Sequence, residues 1–348
     1  MATSVAPAVG PVPFKDVEND ADMVTAEPES PLEERVSLVS ALPCCTVAGM
    51  SNSNSKLRCY QGFWIPERWV SAAAALQHRF KPRPSDVIVA SLLKCGTTWL
   101  VALAFATLAR RAYPPGADDH PLRRLNPHQC LPFLEGLFAG RREGKLDGLP
   151  SPRLMNTHMP LAMIPGAVPA DDGDGCRVVY ICREPKDMVV SFWHYFRRVF
   201  PELEFNEVFD MACDGTIPCG PFWDHILGYW RAGVARPENV LFLRYEELLL
   251  DPAGNVRRLA RFVGLPFTAA EEEDGVVGGI VELCSLDSLR GMEANKTGYM
   301  DPRVKIPREA LFRKGVADDW KSHMTPEMAR RMDDIVDEKF RGTGLTFP

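Results

Sequence analysis

The longest apolar run of this 348-residue chain, around Trp99 to Ala109, falls well short of the roughly 20 residues that a bilayer-spanning helix needs. No C-x-x-C pair occurs among the ten cysteines, and Cys176/Cys182 and Cys213/Cys219 lack zinc-ligand spacing, so the cysteines read as thiols of a reducing compartment. Excess positive charge is also missing: 40 Lys and Arg against 46 Asp and Glu give a net charge of −6, which argues against a nucleic-acid or anionic-membrane partner. The amino end has neither a basic region nor an apolar core of the signal-peptide kind. Its acids (Asp16, Glu18, Asp20, Asp22, Glu27, Glu29, Glu33, Glu34) do not suit an organelle transit peptide. Cytosol is the expected location. No internal repeat is visible, and no G-x-x-x-x-G-K-[ST] phosphate loop occurs.

What is present is the composition of a globular domain, 46% hydrophobic and 25% charged. Residues 1 to about 55 are rich in Pro, Ser, Ala and acids without periodicity and are expected to be disordered. Beyond them, strand signals alternate with helix signals. Asp86–Ala90 (DVIVA), Arg153–Met159 (RLMNTHM), Arg177–Cys182 (RVVYIC) and Asn239–Tyr245 (NVLFLRY) read as strands. Trp99–Arg110, Asp187–Val199 and Asp251–Val263 read as helices, with Pro185 near a first turn and Gly264 and Pro266 as stops. Tyr113–Pro150 should hold loops and short helices, and Asp171–Gly175 a turn. The alternation implies an α/β fold with a central parallel sheet covered on both faces by helices.

The most informative stretch is Ser85–Arg110. Lys94-Cys95-Gly96-Thr97-Thr98 sits between an apolar strand and an apolar helix. It brings backbone N–H groups, a cation and two hydroxyls to a helix N-terminus, where anions bind. An ordinary strand–loop–helix connection remains the plain alternative. So does a core thiol for Cys95, against a thiol activated by Lys94 and the helix end.

The order Lys-x-Gly-Thr-Thr-Trp, ending at Trp99, resembles the Pro-Lys-Ser-Gly-Thr-Thr-Trp signature of the soluble, plant-type sulfotransferases. These enzymes move a sulfuryl group from 3′-phosphoadenylyl sulfate (PAPS) to a hydroxyl or amine. Leu93 and Cys95 replace the usual proline and serine. Arg183-Glu184-Pro185-Lys186-Asp187 with Ser191 resembles the family's Arg-x-Pro-x-Asp-x-x-x-Ser, and Arg313-Lys314-Gly315 with Asp319-Trp320-Lys321 resembles its carboxyl-terminal signature, Asp318 replacing a glycine. Asn126-Pro127-His128, Pro132-Phe133-Leu134-Glu135 and Thr157-His158-Met159-Pro160 match further segments, and Cys59–Trp64 resembles an entry segment that closes over the substrate pocket or else anchors packing.

The resemblance, spanning roughly Cys59 to Phe340, implies a single sulfotransferase domain over 59–348, a P-loop-like phosphate loop, and a disordered extension over 1–58. It implies that PAPS is held by Lys94, Cys95, Gly96, Thr97, Thr98, Trp99, Arg183, Ser191, Tyr245, Arg313, Lys314 and Gly315. By the same resemblance Leu286 replaces a ring that packs on adenine, His158 is the general base, and Lys94 neutralises the leaving group. Of the seven histidines, His194 in SFWHYF reads as core. Sulfuryl transfer calls for no metal. The implied partner is a small hydroxylated, aromatic or polycyclic acceptor, for which Phe63, Trp64, Phe133, Phe192, Trp193 and Phe196 could line a pocket. Thr325-Pro326 and Arg330 break a dimer segment of some relatives, so a monomer is expected. A small-molecule kinase and a non-catalytic nucleotide binder are the competing readings.

Overall fold

The computed structural model describes residues 10–17, 39–47, 56–164, 166–168, 175–301 and 304–347. From the amino end, β1 (Cys44–Thr46), β2 (Lys56–Tyr60) and β3 (Phe63–Pro66) form an antiparallel sheet. Gln61 and Gly62 turn the β2–β3 hairpin with φ of 50° and 86°, the left-handed pair that a two-residue turn needs. This differs from the expected start of order at Cys59. A boundary at 58/59 falls inside β2, whose ladder is completed by β1. Phe14 is buried against the main core, and the Gly10 N–H donates to the Ser151 carbonyl at 3.1 Å. The proline- and acid-rich composition concealed these anchors. Residues 1–9, 18–38 and 48–55, and Asp171–Asp174 of the expected turn, lie outside the described residues.

The central sheet contains β4 (Val87–Ser91), β5 (Leu154–Thr157), β6 (Arg177–Cys182) and β7 (Val240–Arg244), all parallel, in the order β5-β4-β6-β7. Ile88, Ala90, Val178 and Tyr180 face one core; Val87, Val89, Val179 and Ile181 face the other. Burial on both faces explains why these strands read as unbroken apolar runs. β4 starts one residue later than expected; Asp86, just before it, forms a buried ion pair with Arg153, 2.5 Å away at the amino ends of the strands. The helix Thr97–Leu108 follows β4 and buries ten of its twelve residues, so it lies between the sheet and an outer layer that includes Val256, Leu259 and Ile280. The helix Pro185–Phe196 follows β6, with Pro185 in its first turn and Glu184 accepting from the Lys186 N–H.

Chain order runs from β4 outward to β5, then back across β4 to β6. Loops leaving β4 therefore diverge from those leaving β6, which opens a crevice at the carboxyl ends of the strands. Two helices carried no clear sequence mark: Glu67–Arg79, which packs on the hairpin, and Phe222–Ala235, which packs beside β7.

Candidate active site

All four strands of the central sheet deliver a side chain to one cavity of about 1030 Å³. Lys94, Gly96, Thr97, Thr98 and Trp99 follow β4, His158 follows β5, Arg183 follows β6 and Tyr245 follows β7; each lines the cavity. Ser191 reaches it from the helix Pro185–Phe196, and Arg313, Lys314 and Gly315 reach it from the carboxyl-terminal region. Of the twelve residues expected around the nucleotide, Cys95 alone is turned away: it is 1% exposed and packs in the core.

The loop after β4 is strained open. Lys94 takes φ 69° and Gly96 φ 103°, and a Cβ on Gly96 would lie 2.7 Å from Tyr245 Cδ2. Left-handed backbone costs a residue such as lysine roughly 1 kcal/mol or more, which suits a site held rigid by its surroundings. No side chain caps the helix that starts at Thr97, so its first N–H groups are available to an anion. Thr97 Oγ1 lies 2.6 Å from Ser91 Oγ, and Thr98 Oγ1 2.9 Å from His128 Nε2.

The Lys94 ammonium sits 3.7 Å above the Tyr195 ring. Burial, reinforced by the charges of Arg183 and Arg313, pulls its pKa down to about 7. An ammonium depressed by burial and neighbouring cations favours an anion beside it. Two buried donors among the lining residues, Arg183 Nε and Trp99 Nε1, have no hydrogen-bond partner among the described residues.

Arg183 lies 4.5 Å above the Tyr245 ring, donates to the Val316 carbonyl at 2.7 Å, and stands 3.5 Å from Asp187. This salt bridge with Asp187 is formed by a residue of the cavity wall. Asp187, 1% exposed, also accepts the N–H groups of Asp318 at 2.8 Å and Trp320 at 2.9 Å. It thus ties the carboxyl-terminal loop to the helix Pro185–Phe196. Asp318 sits at φ 65°, which explains why a glycine suits that position and why aspartate, tolerant of left-handed backbone, can replace it. Gly315 also takes positive φ, and a Cβ there would meet Leu286 Cδ2 at 2.8 Å. Asp187, Ser191 and Tyr195 share one face at four-residue spacing, a signal that marks Tyr195 as a cavity residue beyond those found from motifs.

His158 is fixed at three points. Its Nδ1 lies 2.9 Å from the Ser91 carbonyl, which can only accept, so Nδ1 carries the proton and Nε2 the lone pair. Its N–H donates to Glu135 Oε1, and its carbonyl accepts from His225 Nε2 at 3.0 Å. His225 Nδ1 in turn accepts from the Tyr180 hydroxyl at 2.9 Å. Burial, against the pull of the Ser91 carbonyl, lowers the His158 pKa to about 4, so the ring is neutral at physiological pH. Such an imidazole can accept a proton. Burial raises the Glu135 carboxyl to about 7 despite donors from the Glu135 and His158 backbones and from Thr157. Glu135 and His225 carried no sequence signal of this role beyond the match of the Pro-Phe-Leu-Glu segment.

Beyond His158 the cavity becomes mainly apolar, with Val47, Leu57, Trp69, Phe133, Phe196 and Phe200 in its wall, beside the ion pair of Arg68 and Asp301. Phe133 and Trp69 flank the imidazole, with centroids at 5.7 and 6.5 Å. Of the six aromatics expected here, only Phe133 and Phe196 line it. Trp64 exchanges backbone hydrogen bonds with Cys219 and Gly220, Phe192 is core, and Trp193 Nε1 donates to the Leu203 carbonyl. For Trp64 the packing-anchor reading of the entry segment is the one observed. His194, expected in the core, is half-buried beside His323.

The family model of the sulfotransferase domain matches residues 84–344. This chain belongs to the sulfotransferase family. The sulfotransferase is 43% identical over 318 residues to cytosolic sulfotransferase 8 of Arabidopsis thaliana, covering 90% of this chain and 93% of the relative. It is 38% identical over 317 residues to flavonol 4′-sulfotransferase of Flaveria chlorifolia, covering 90% and 97%. The crystal structure of an Arabidopsis thaliana candidate steroid sulphotransferase superposes with a TM-score of 0.71 at 34% identity, covering 93% of this chain and 99% of that one.

In this sulfotransferase, Cys95 occupies the position of the signature's serine as a buried thiol. Burial pushes its pKa up to about 12, outweighing the nearby cations Arg183 and Lys94. The activated-thiol reading of Cys95 fails for that reason.

Proposed function

We propose that this sulfotransferase uses PAPS to sulfate a hydroxyl of a small aromatic or polycyclic acceptor in the cytosol. The observation that carries the reading is the meeting of Lys94, Arg183 and Arg313 around one cavity that also holds the neutral imidazole of His158. Burial lowers the Lys94 pKa, and the charges of both arginines lower it further, so the three charges share one field. Arg183, Ser191, Arg313 and Lys314 are suited to the ribose phosphate, since guanidinium forks match phosphate oxygens and the ammonium and hydroxyl add further donors. Gly96, Thr97 and Thr98 offer N–H groups and hydroxyls to the 5′ side, and Trp99 and Tyr245, in edge contact at 5.7 Å, offer an aromatic wall for the base.

Bound there, PAPS supplies the sulfuryl group. His158 Nε2 accepts the acceptor's hydroxyl proton as the new S–O bond forms, and Lys94 stabilises negative charge on the departing oxygen. Glu135 and His225 keep the imidazole in place without touching substrate. The apolar wall around Trp69 and Phe196 favours a flat acceptor. Flavonol and steroid activities in the names of the relatives agree with that class, and the cytosolic assignment follows the name of the first relative. Among the described residues no helix is long and apolar enough to cross a membrane.

The test is transfer of labelled sulfate from PAPS to a panel of phenols, steroids and aliphatic alcohols. The reading expects phenolic or polycyclic compounds to be labelled. Binding of PAPS with no transfer to any of them would refute it.

A further inference from the structure

Outside the cavity wall, the helix Pro185–Phe196, the turn Asp319–Ser322 and the residue after that turn bring together His194, Asp319 and His323. One ligand atom from each lies within 4.8 Å of the others. The two Nε2 atoms are 3.4 Å apart, and His323 Nε2 is 3.6 Å from Asp319 Oδ2. For a hydrogen bond between imidazoles, 3.4 Å is long. For two nitrogens on one tetrahedral zinc ion it is the expected edge: bonds of about 2.0–2.1 Å at the tetrahedral angle separate the ligands by about 3.4 Å. Asp319 Oδ2 is buried and is paired with the Arg313 guanidinium 2.5 Å away, so in the nucleotide-free protein that cation stands where an ion would. The Trp193 ring covers both imidazoles, with centroids at 4.6 Å from His194 and 5.8 Å from His323.

We propose that His194, Asp319 and His323 form a site for a divalent cation of the zinc type, which pins the turn Asp319–Ser322 to the helix Pro185–Phe196. Two imidazoles and one carboxylate are the donor set of a borderline-soft first-row ion rather than of magnesium or calcium. The site is structural: it lies apart from His158 and takes no part in sulfuryl transfer, so it leaves the expectation of a metal-free transfer step untouched.

The site is also wired to the nucleotide, a coupling that rests on the function proposed above. Asp319 is the counter-ion of Arg313, at 2.5 Å, and of Lys314, at 2.6 Å. A nucleotide phosphate that takes up these two cations leaves the aspartate without partners, and a divalent ion replaces them. Each ligand therefore favours the other, and by linkage the factor is the same in both directions.

Tag-free, metal-stripped full-length protein titrated calorimetrically with Zn²⁺ tests this. One ion per chain should bind at micromolar concentration or tighter, and Co²⁺ should give the visible absorption of a low-coordinate site. His323→Ala and His194→Gln should each weaken Zn²⁺ binding by about tenfold or more. Circular dichroism and thermal melting check that both variants fold. No stoichiometric binding by the wild type overturns the site, and so does equal binding by both folded variants, which would put the ion elsewhere, for example on cysteines. Saturating PAP, the desulfated nucleotide, should tighten Zn²⁺ binding severalfold; unchanged affinity in protein that binds PAP overturns the coupling. Failure of PAP itself to bind would refute the nucleotide reading while the metal titration still decides the site.

Discussion

At one end of the cavity, Lys94, Arg183 and Tyr245 stand within three residues of the ends of three adjacent parallel strands. At the other, Val47, Trp69, Phe133 and Phe196 come from the residue after β1, two helices and a connecting segment. The first end is polar and cationic and is fixed by the sheet register, in which Cys182 lies beside Arg244 and Ala90 beside both Tyr180 and Thr157. The second is mainly apolar and fixed largely by side-chain packing, with the backbone bridge from Phe133 to Asn156 its tie to the sheet. A register cannot slip by a fraction of a residue, whereas an apolar wall changes shape with each substitution. The contrast implies that the donor end is built for one ligand and that the acceptor end can be retuned by exchange of side chains. His158 sits at the join, after the fourth strand.

That contrast can be broken at the join first. His158→Ala should lower kcat by about 10²–10⁴-fold and leave PAP affinity unchanged in calorimetry; equal loss of both in a folded variant would remove the imidazole from its proposed role. Arg183→Ala should weaken PAP binding by about 1.5–3 kcal/mol, the worth of hydrogen bonds to a charged group, with acceptor KM little altered. An unchanged nucleotide affinity would mean that the guanidinium serves only to brace Asp187 and the Val316 carbonyl.

The donor end should also titrate. With the Lys94 pKa lowered to about 7 by burial and by the two arginines, the free protein binds fewer protons there than an ordinary lysine would. An anionic nucleotide favours the charged amine, so binding takes up a proton, and PAP affinity should fall by up to about tenfold per pH unit above about pH 7. In folding, the sign is opposite. Between about pH 7 and the ordinary lysine value the unfolded chain holds more protons, so stability of the nucleotide-free protein rises with pH across that window. Calorimetry in buffers of different ionisation enthalpy reads the proton count; a count of zero would sink the cation-field argument.

At the acceptor end, Phe196→Ala should raise acceptor KM by about tenfold, in line with roughly 1–3 kcal/mol for a lost apolar contact, while PAP affinity stays constant. The smallest effect belongs to Cys95. Its thiol is buried and its pKa raised, so iodoacetamide at mildly alkaline pH should leave it unlabelled in a peptide map.

The parallel strands were legible because burial on both faces forces unbroken apolar runs, as in RVVYIC, and the phosphate loop was legible because Lys94, Gly96 and the two threonines crowd into five residues. Phe14 and β1 were not, since an isolated phenylalanine and a three-residue strand leave no periodic trace. Nor were Glu135 and His225: each acts through the backbone of His158, 23 and 67 positions away, and such a contact has no local pattern. The reactivity of Cys95 went the other way. Proximity to Lys94 in sequence suggested activation, but the thiol points into the core, and desolvation outweighs the neighbouring charge.

The amino-acid sequence by itself determined the chemistry at the strand ends, because local backbone demands and charged ligands restrict which residue types can stand in a few consecutive positions. Only the tertiary structure decided which distant groups share a field: that Arg313 lowers the pKa of Lys94, that Asp187 holds the turn at Asp318, and that His194 meets His323. Electrostatic and packing energies depend on distance in space, and the chain's order does not encode that distance.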